Sequence, residues 1–414
     1  MKSFKITRLA LLAGVASAAL LQPAFALDAQ AFVDRIQAVW GPLGYQFTFT
    51  DPQLEGDTIT VDAKVGVKEI EGMEGPTSFD TTLTFNGVAE LPDGGYTAET
   101  VALPDVEADM EGDVPGHVSL TDIEMRDFYL PGGDTVSPVQ MLQLVGAFST
   151  GALSVTRDGA EVIAIESMES ASTFTPSQGS ADLTGLTSKL SIAGIAADLS
   201  SVKEEDPQAG AVIDGLALNS IAGDVTGSFD WSLADGHVVV DQFLFDFADV
   251  GALNMTFDLT GLTPALLAQL QTANAAVEAA GDPASEEAQA AQMMMGMQLM
   301  QGLSIGGVSI RYDDASLAGK LLDFFAQAQG IERAQLVEGL KAMVPQMIAG
   351  TGIPELAALV EPPVSAFLDD PQSLEIDLAP ATPTSLLVLM AAASNPASLI
   401  STLGATVTAN EAAE

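Results

Sequence analysis

The chain has 414 residues, of which 56 are acidic and 14 basic, and its formal net charge is −42 at pH 7. Such a charge disfavours nucleic acid, which proteins bind with Lys and Arg against phosphates, and it disfavours anionic lipid headgroups. There is no cysteine, so disulfides are excluded and stability must come from burying the 48% of residues that are hydrophobic. We therefore expect a folded protein with an acidic surface adapted to a salty medium, and not an acidic disordered tail.

Residues 1–26 have the three parts of an export signal peptide. Lys2, Lys5 and Arg8 form a positive segment, residues 9–21 are apolar, and residues 24–26 read Ala-Phe-Ala. The apolar run of thirteen residues is shorter than the roughly 20 that span a bilayer. We predict cleavage after this segment, no transmembrane segment in the mature chain, and a periplasmic location, with release to the exterior as the alternative. Loss of the three basic residues leaves 56 acidic against 11 basic, a net charge of −45.

Residues 27–262 are predicted to form mainly antiparallel β-sheet, preceded by a short helix. Residues 28–41 have an amphipathic helical pattern with Asp28 placed to cap the helix and Gly41 to end it. Alternating polar and apolar residues with Gly-containing turns, as at Asp158-Gly159, then indicate strands and hairpins. We expect this region to be interrupted by a helix over residues 137–148, because Ser137 and Pro138 suit a helix start.

Residues 229–262 predict three consecutive strands, each with one apolar and one polar face. Phe243, Phe245 and Phe247 alternate with polar or smaller residues in the second of these strands. Side chains in a strand alternate with period two. We therefore expect the odd-numbered apolar residues of all three strands to lie on one side of the sheet.

Residues 263–302 are predicted to form a helical hairpin with an unusual methionine content. Met293, Met297 and Met300 are spaced to lie on one helical face. Methionine fills irregular or adaptable apolar surfaces, so this helix is the expected cover of the phenylalanine-bearing face. The alternative is Cu(I) binding by the thioethers, which the lack of a nearby His or Cys disfavours.

Residues 303–414 are predicted to be a helix-rich region whose strands complete the sheet. The whole order, strands followed by helices and further strands, indicates an α+β fold. We expect a large curved antiparallel β-sheet with a helical hairpin insertion and a helix-rich C-terminal part.

Catalytic and metal-binding patterns are lacking in the sequence. The two histidines, His117 and His237, have no second histidine nearby, whereas zinc needs three or four ligands. Neither a hydrolase nucleophile elbow nor a phosphate loop is present. The acid pairs at 313–314 and 369–370 are those expected of a chain with this many carboxylates. We predict no catalytic residues, no metal and no cofactor, and so not an enzyme.

The C-terminal half contains a series of strand and helix patterns that other proteins share. Its features are the strand, turn and strand over residues 229–262, the segment VSIRYDDASLAGKLLDFFAQAQG, and the segment SLEIDLAPATPTSLLVLM. Over residues 223–410 it is similar to exported proteobacterial proteins of unknown function and, more loosely, to YdgA-like and AsmA-like envelope proteins. The resemblance implies a long curved antiparallel sheet with an apolar concave side and a role in envelope or lipid homeostasis. The cleavable signal departs from the membrane anchor usual in AsmA-like proteins.

Three functions remain open from the sequence. The first is a non-catalytic periplasmic protein that binds a lipid, another apolar ligand or an envelope protein partner. The second is an exported structural or surface protein with a closed core, and the third is a hydrolase using scattered carboxylates. The candidate surface for an apolar ligand or partner comprises Phe243, Phe245, Phe247, Met293, Met297 and Met300.

Overall fold

The structure is a computed structural model that describes residues 27–67, 78–110, 114–176, 183–282, 284–351, 353, 355–392 and 396–412. It combines a large open antiparallel sheet with several helices, most of them C-terminal, which confirms the α+β class. The predicted signal peptide lies outside the described residues.

The strands within the described residues number twenty. Their bounds are Tyr45–Glu55 (β1), Thr58–Val67 (β2), Ser78–Asn86 (β3), Ala89–Glu90 (β4), Tyr96–Ala102 (β5), Val106–Met110 (β6), Gly116–Leu120 (β7), Glu124–Leu130 (β8), Val145–Thr150 (β9), Leu153–Arg157 (β10), Ala160–Ile165 (β11), Ser167–Pro176 (β12), Leu183–Asp198 (β13), Ser220–Ser232 (β14), His237–Phe247 (β15), Gly251–Thr260 (β16), Ser304–Asp314 (β17), Ser373–Leu378 (β18), Thr384–Ser385 (β19) and Ala405–Ala409 (β20).

The same part of the chain contains eleven α-helices and one 3₁₀ turn, Gly41–Leu43. The helices are Ala29–Trp40 (α1), Pro138–Met141 (α2), Ser200–Glu205 (α3), Pro207–Gly215 (α4), Pro264–Ala280 (α5), Glu286–Gly302 (α6), Leu317–Gln329 (α7), Arg333–Thr351 (α8), Glu355–Asp369 (α9), Leu386–Ala392 (α10) and Pro396–Leu403 (α11). The hairpin expected over residues 263–302 corresponds to α5 and α6.

One antiparallel path runs through most of the sheet. Its strands pair in the order β1, β2, β3, β5, β8, β9, β12, β13, β14, β15, β16, β17, β18 and β20. The sixteen-residue β13 is long enough to pair with β12 over most of its length and with β11 near its end. Through β11 it also connects to β10, β7 and β6.

The amino-terminal helix α1 covers the first strands of this path. Asp28 caps the helix, because its carboxylate accepts hydrogen bonds from the backbone N–H groups of Gln30 and Ala31. Gly41 follows the last turn, as predicted. Phe32 is completely buried and meets Phe85 edge-on, with ring centroids 4.9 Å apart. Arg35 on the other side of α1 donates hydrogen bonds to the carbonyl of Pro131, which fixes the helix across the sheet.

A single row of side chains crosses all fourteen strands of the path on one face, and we call it the apolar row. Cross-strand partners share a face, so the register itself defines this row. Twelve of its fourteen members are apolar: the row reads Leu54, Ile59, Phe85, Val101, Met125, Phe148, Ser170, Leu190, Gly227, Phe243, Met255, Ile310, Ile376 and Val407. We call the side of the sheet that carries it the apolar face.

The opposite side of the central strands is polar. The register sets Asp224 opposite Asp246 and Ser228 opposite Gln242 there. The expectation that odd-numbered residues share one side holds for Phe243, Phe245 and Phe247. It is wrong for the start of β15, because a bulge between Val240 and Phe243 shifts the parity. Even-numbered Val240 therefore lies on the apolar face, opposite Phe229 and Phe257.

The helix predicted over residues 137–148 is corrected by the structure. Only Pro138–Met141 is helical, with the capping box formed between Ser137 and Gln140. Residues 145–150 are a strand that pairs with β8 and β12. Val145 and Gly146 have poor helix propensity, and the ladder on both sides satisfies their backbone groups, so pairing in the sheet overrides the helical pattern.

Helices cover the apolar face at both ends of the central strands. At one end Trp231 packs with Leu267 of α5 and donates a hydrogen bond from Nε1 to the carbonyl of Leu262 at 3.0 Å. At the other end Tyr312 meets Phe367 of α9 edge-on at 6.5 Å. The apolar row lies between these two helical groups.

A charged cluster on the polar face ties the last strand to the sheet. Arg311 is only 8% exposed, and its guanidinium donates to Glu375 at 3.0 Å, to Asp313 at 2.6 Å and to the carbonyl of Glu411 at 2.8 Å. The Ser373 hydroxyl donates to the same carbonyl at 3.1 Å. The arginine therefore links β17, β18 and the end of the chain beyond β20.

We expect Arg311→Ala to lower the free energy of unfolding by about 2 kcal/mol, because it removes charge-assisted hydrogen bonds from a buried position. The matched control is Arg333→Ala, whose ion pair with Asp323 is exposed and 3.5 Å long and should contribute no more than about 0.5 kcal/mol. Urea unfolding followed by far-UV circular dichroism measures both. Equal losses of unfolding free energy for the two variants would contradict the stabilising role of the Arg311 cluster.

We expect Phe245→Asp to destabilise the fold by at least about 3 kcal/mol, since it places a charge on the apolar face. Asp246→Ala, one residue further on, should change stability by less than about 0.5 kcal/mol, because Asp246 is exposed and faces Asp224 across the strands. Denaturant unfolding of the two variants compares them. Similar losses would show that the faces of β15 are assigned wrongly.

Candidate functional site

An open apolar groove crosses the middle of the apolar face. It has a volume of about 360 Å³ and runs over β12 to β16. The residues that line it are Ser170, Ser188, Lys189, Leu190, Gly227, Ser228, Phe229, Val240, Gln242, Phe243 and Phe257. By the alternation of the strands, the side chains of Lys189, Ser228 and Gln242 belong to the polar face.

Small residues create this groove. Ser170 and Gly227 are the two members of the apolar row without an apolar side chain, and they stand on either side of Leu190. In the next row of the same face, Ser188 stands opposite Ser172 and Phe229. A row of large side chains that is interrupted by Ser and Gly leaves a depression, because no side chain fills the space above those Cα atoms.

The walls and floor of the groove differ in character. Phe243 meets Phe245 edge-on with ring centroids 5.0 Å apart, and both rings are half-buried. A Cβ added at Gly227 would lie 3.0 Å from the Phe243 ring, so glycine lets that ring lie close over the neighbouring strand. The phenylalanine side therefore forms an aromatic wall beside a floor of small residues.

Hydroxyl groups form the other side of the groove. Ser188 is 8% exposed, and its hydroxyl accepts a hydrogen bond from Ser172 at 3.1 Å. Ser170 is half-buried and lines the groove, and its hydroxyl makes no hydrogen bond to a described residue. The site thus combines an apolar surface with hydroxyls that keep hydrogen-bonding capacity.

Among the sequence-predicted residues, the phenylalanines lie together and the methionines lie apart from them. Phe243 lines the groove, and Phe245 and Phe247 follow it on the same face. Met293 and Met297 of α6 are 70% and 49% exposed, and Met300 is half-buried. None of the three lines the groove.

Helix α6 packs elsewhere than the sequence suggested. Within the described residues its main neighbours are α5, α10 and the short strand β19. Leu387, Val388 and Met390 of α10 are also exposed, at 47%, 50% and 56%. The methionines therefore belong to the outer surface of the helices and do not cover the phenylalanines.

Sequence reasoning missed the small residues of the groove. Ser170, Ser188 and Gly227 attract no attention singly, because no motif or periodic pattern in the sequence marks them. The available signal was their occurrence at apolar-face positions of β12, β13 and β14. Recognising it required the pairing register between distant strands, which the sequence alone does not provide.

Two further cavities lie outside the groove. One of about 450 Å³ lies between α7, α8 and α9 and is lined mainly by leucine and phenylalanine, including Leu322, Phe325 and Phe367. The other, of about 590 Å³, is polar and lies over β1 to β3 beside Asp62 and Lys64. The first opens to the surface of the C-terminal helical group beside Phe325, which is 50% exposed, and the second is a shallow depression of the sheet surface.

Both histidines lie in strands. His117 in β7 contacts Asp109 at 2.8 Å and Glu107 at 2.6 Å, and these contacts raise the pKa of its exposed ring. His237, the first residue of β15, contacts Asp258 at 2.9 Å. Over the described ranges, no group of three or more His, Asp or Glu side chains is arranged to hold a metal ion.

A carboxylate with a raised pKa lies on the polar face. Burial, followed by the neighbouring charge of Glu375, raises the pKa of Asp377. Asp377 pairs in register with Ser309 and Thr406, next to the Arg311 cluster. This group is part of the structure that holds the last strand, and it lies on the opposite side of the sheet from the groove.

Comparison with family models gives a match for the C-terminal part of the chain. Residues 244–410 match a family model that is described as "Uncharacterized protein". No curated protein matches the chain. The match begins inside β15 and includes Phe245 and Phe247, and it extends to the end of the sheet. Among the described helices, none is both long and apolar enough to cross a membrane.

Proposed function

We propose that this protein is an exported, periplasmic, non-catalytic protein that binds the acyl chain of a lipid in the groove of its apolar face. The surrounding sheet supplies a rigid surface, and the helical groups at both ends of the strands limit the site along the strand direction. The export signal at residues 1–26 supports the location.

One observation carries the proposal: the apolar row stays accessible where no helix covers it. Phe148, Ile310 and Ile376 are 38%, 39% and 46% exposed, and the groove lies between Phe148 and Ile310 in the row. Apolar surface exposed in a contiguous strip is characteristic of binding sites, because its burial by a ligand is favourable by roughly 25 cal/mol per Å². An extended chain matches the length of such a strip.

The open groove favours this function over the two alternatives. A purely structural protein would be expected to close its sheet with its own helices, and the described helices that pack beside the central strands do so at the strand ends. A hydrolase would require carboxylates in the cleft, and the lining of the groove contains no Asp or Glu. Asp377, the half-buried carboxylate with a raised pKa, lies on the other face.

The binding test compares two neighbouring positions on opposite faces. Ser170→Phe puts a large side chain into the groove, while Ala171→Phe puts the same side chain on the exposed polar face of β12. We expect the first variant to reduce binding of the neutral fluorescent dye Nile red at least tenfold and the second to leave it unchanged. Far-UV circular dichroism verifies that both variants fold.

The same pair is then purified from the envelope fraction and extracted with organic solvent. Mass spectrometry should find acyl lipid with the wild type and Ala171→Phe and little with Ser170→Phe. Absence of dye binding and of lipid from the wild type, or equal binding by both variants, would overturn the proposed function.

Export is tested separately by the amino-terminal sequence of the protein in the envelope fraction. We expect it to begin at Leu27, because the small residues Ala24 and Ala26 suit the signal peptidase. A chain beginning at Met1 in that fraction would refute cleavage.

A further inference from the structure

The groove has a polar side as well as an aromatic wall, and this polar side bears on the chemistry of its ligand. A serine hydroxyl offers one donor and two acceptor lone pairs. Ser188 uses its oxygen to accept from Ser172, which leaves its own O–H free to donate. Ser170 uses neither capacity with a described residue. Two O–H donors on adjacent strands therefore border an apolar groove.

Among the described residues that line the groove, none on the apolar face is basic. Lys189, the basic residue that borders the groove, belongs to the polar face by the alternation of β13. The chain as a whole carries a net charge of −42. A carboxylate or phosphate in the groove would thus be desolvated without a cationic partner, which is costly, and the field of the protein would repel it.

An uncharged oxygen acceptor has neither disadvantage. An ester carbonyl is uncharged, so its desolvation in the groove costs less than that of an anion. It also accepts hydrogen bonds from hydroxyl donors. Neutral hydrogen bonds of this kind contribute modestly but give a defined position along the groove.

On these grounds, and resting on the proposed function, we propose that the groove selects an uncharged acyl ester of the acylglycerol class. Ser170 and Ser188 donate hydrogen bonds to its ester carbonyl, and the acyl chain lies against Leu190, Phe243 and Phe257. Free fatty acid anions and anionic phospholipids bind less well.

The test uses three probes with a similar hydrocarbon chain: monooleoylglycerol, oleate at pH 8, and 1-octadecene. Each is titrated against wild-type protein with bound Nile red, and displacement of the dye is measured. We expect monooleoylglycerol to displace the dye at concentrations at least tenfold lower than oleate. Equal or better displacement by oleate would overturn the selectivity for an uncharged ligand.

The role of the hydroxyls is tested with Ser170→Ala, Ser188→Ala and the control Ser191→Ala, which alters the polar face of β13. Each groove variant should weaken displacement by monooleoylglycerol about fivefold, the effect of one neutral hydrogen bond. Displacement by 1-octadecene should not weaken, since it has no acceptor, and the control should leave both unchanged.

The outcomes separate the two proposals. If the serine variants change the ester and the alkene equally, or change neither, the hydroxyl anchor is wrong while acyl binding stands. If wild-type protein binds Nile red but none of the three probes displaces it, or if it does not bind the dye, the proposed function itself fails.

Discussion

The continuous register of fourteen antiparallel strands is the constraint on which the rest of this structure depends. Each strand places one residue in the apolar row, so the row is continuous only if every neighbouring pair is in register. A slip of one residue at any ladder would carry that strand's apolar side chains to the polar face. The bulge in β15 preserves the apolar face across an extra residue. Even-numbered residues before residues 241–242 and odd-numbered residues after them lie on the apolar face, so Val240 shares that face with Phe243.

The groove follows from the same constraint. Once register fixes which residues share a face, the space above the sheet depends only on side-chain size at successive positions. Large residues at Phe148 and Phe243 with Ser170 and Gly227 between them produce a depression, and helices at the strand ends leave it open. A rigid sheet thus provides the site without any loop having to close, which distinguishes it from a binding site built on mobile connections.

The acidic surface and the apolar face have complementary consequences. Charge keeps the polar face hydrated, as where Asp224 stands opposite Asp246, and net charge of one sign disfavours self-association of a protein with exposed apolar surface. The few cations serve structural pairing: Arg311 holds the end of the chain to the sheet, and Arg35 holds α1. This distribution supports the proposal that the ligand of the groove is uncharged.

The sequence by itself determined the class of fold, the helical pair after residue 262, the cap of α1 and the shared face of Phe243, Phe245 and Phe247, because alternation and capping are local properties. Only the tertiary structure decided that residues 145–150 form a strand, since β8 and β12 satisfy their backbone groups. It also decided that the methionines of α6 lie away from the phenylalanines and that Ser170, Ser188 and Gly227 meet in one groove. Those outcomes depend on pairing between residues far apart in the chain, and no local pattern specifies which distant strand becomes the neighbour.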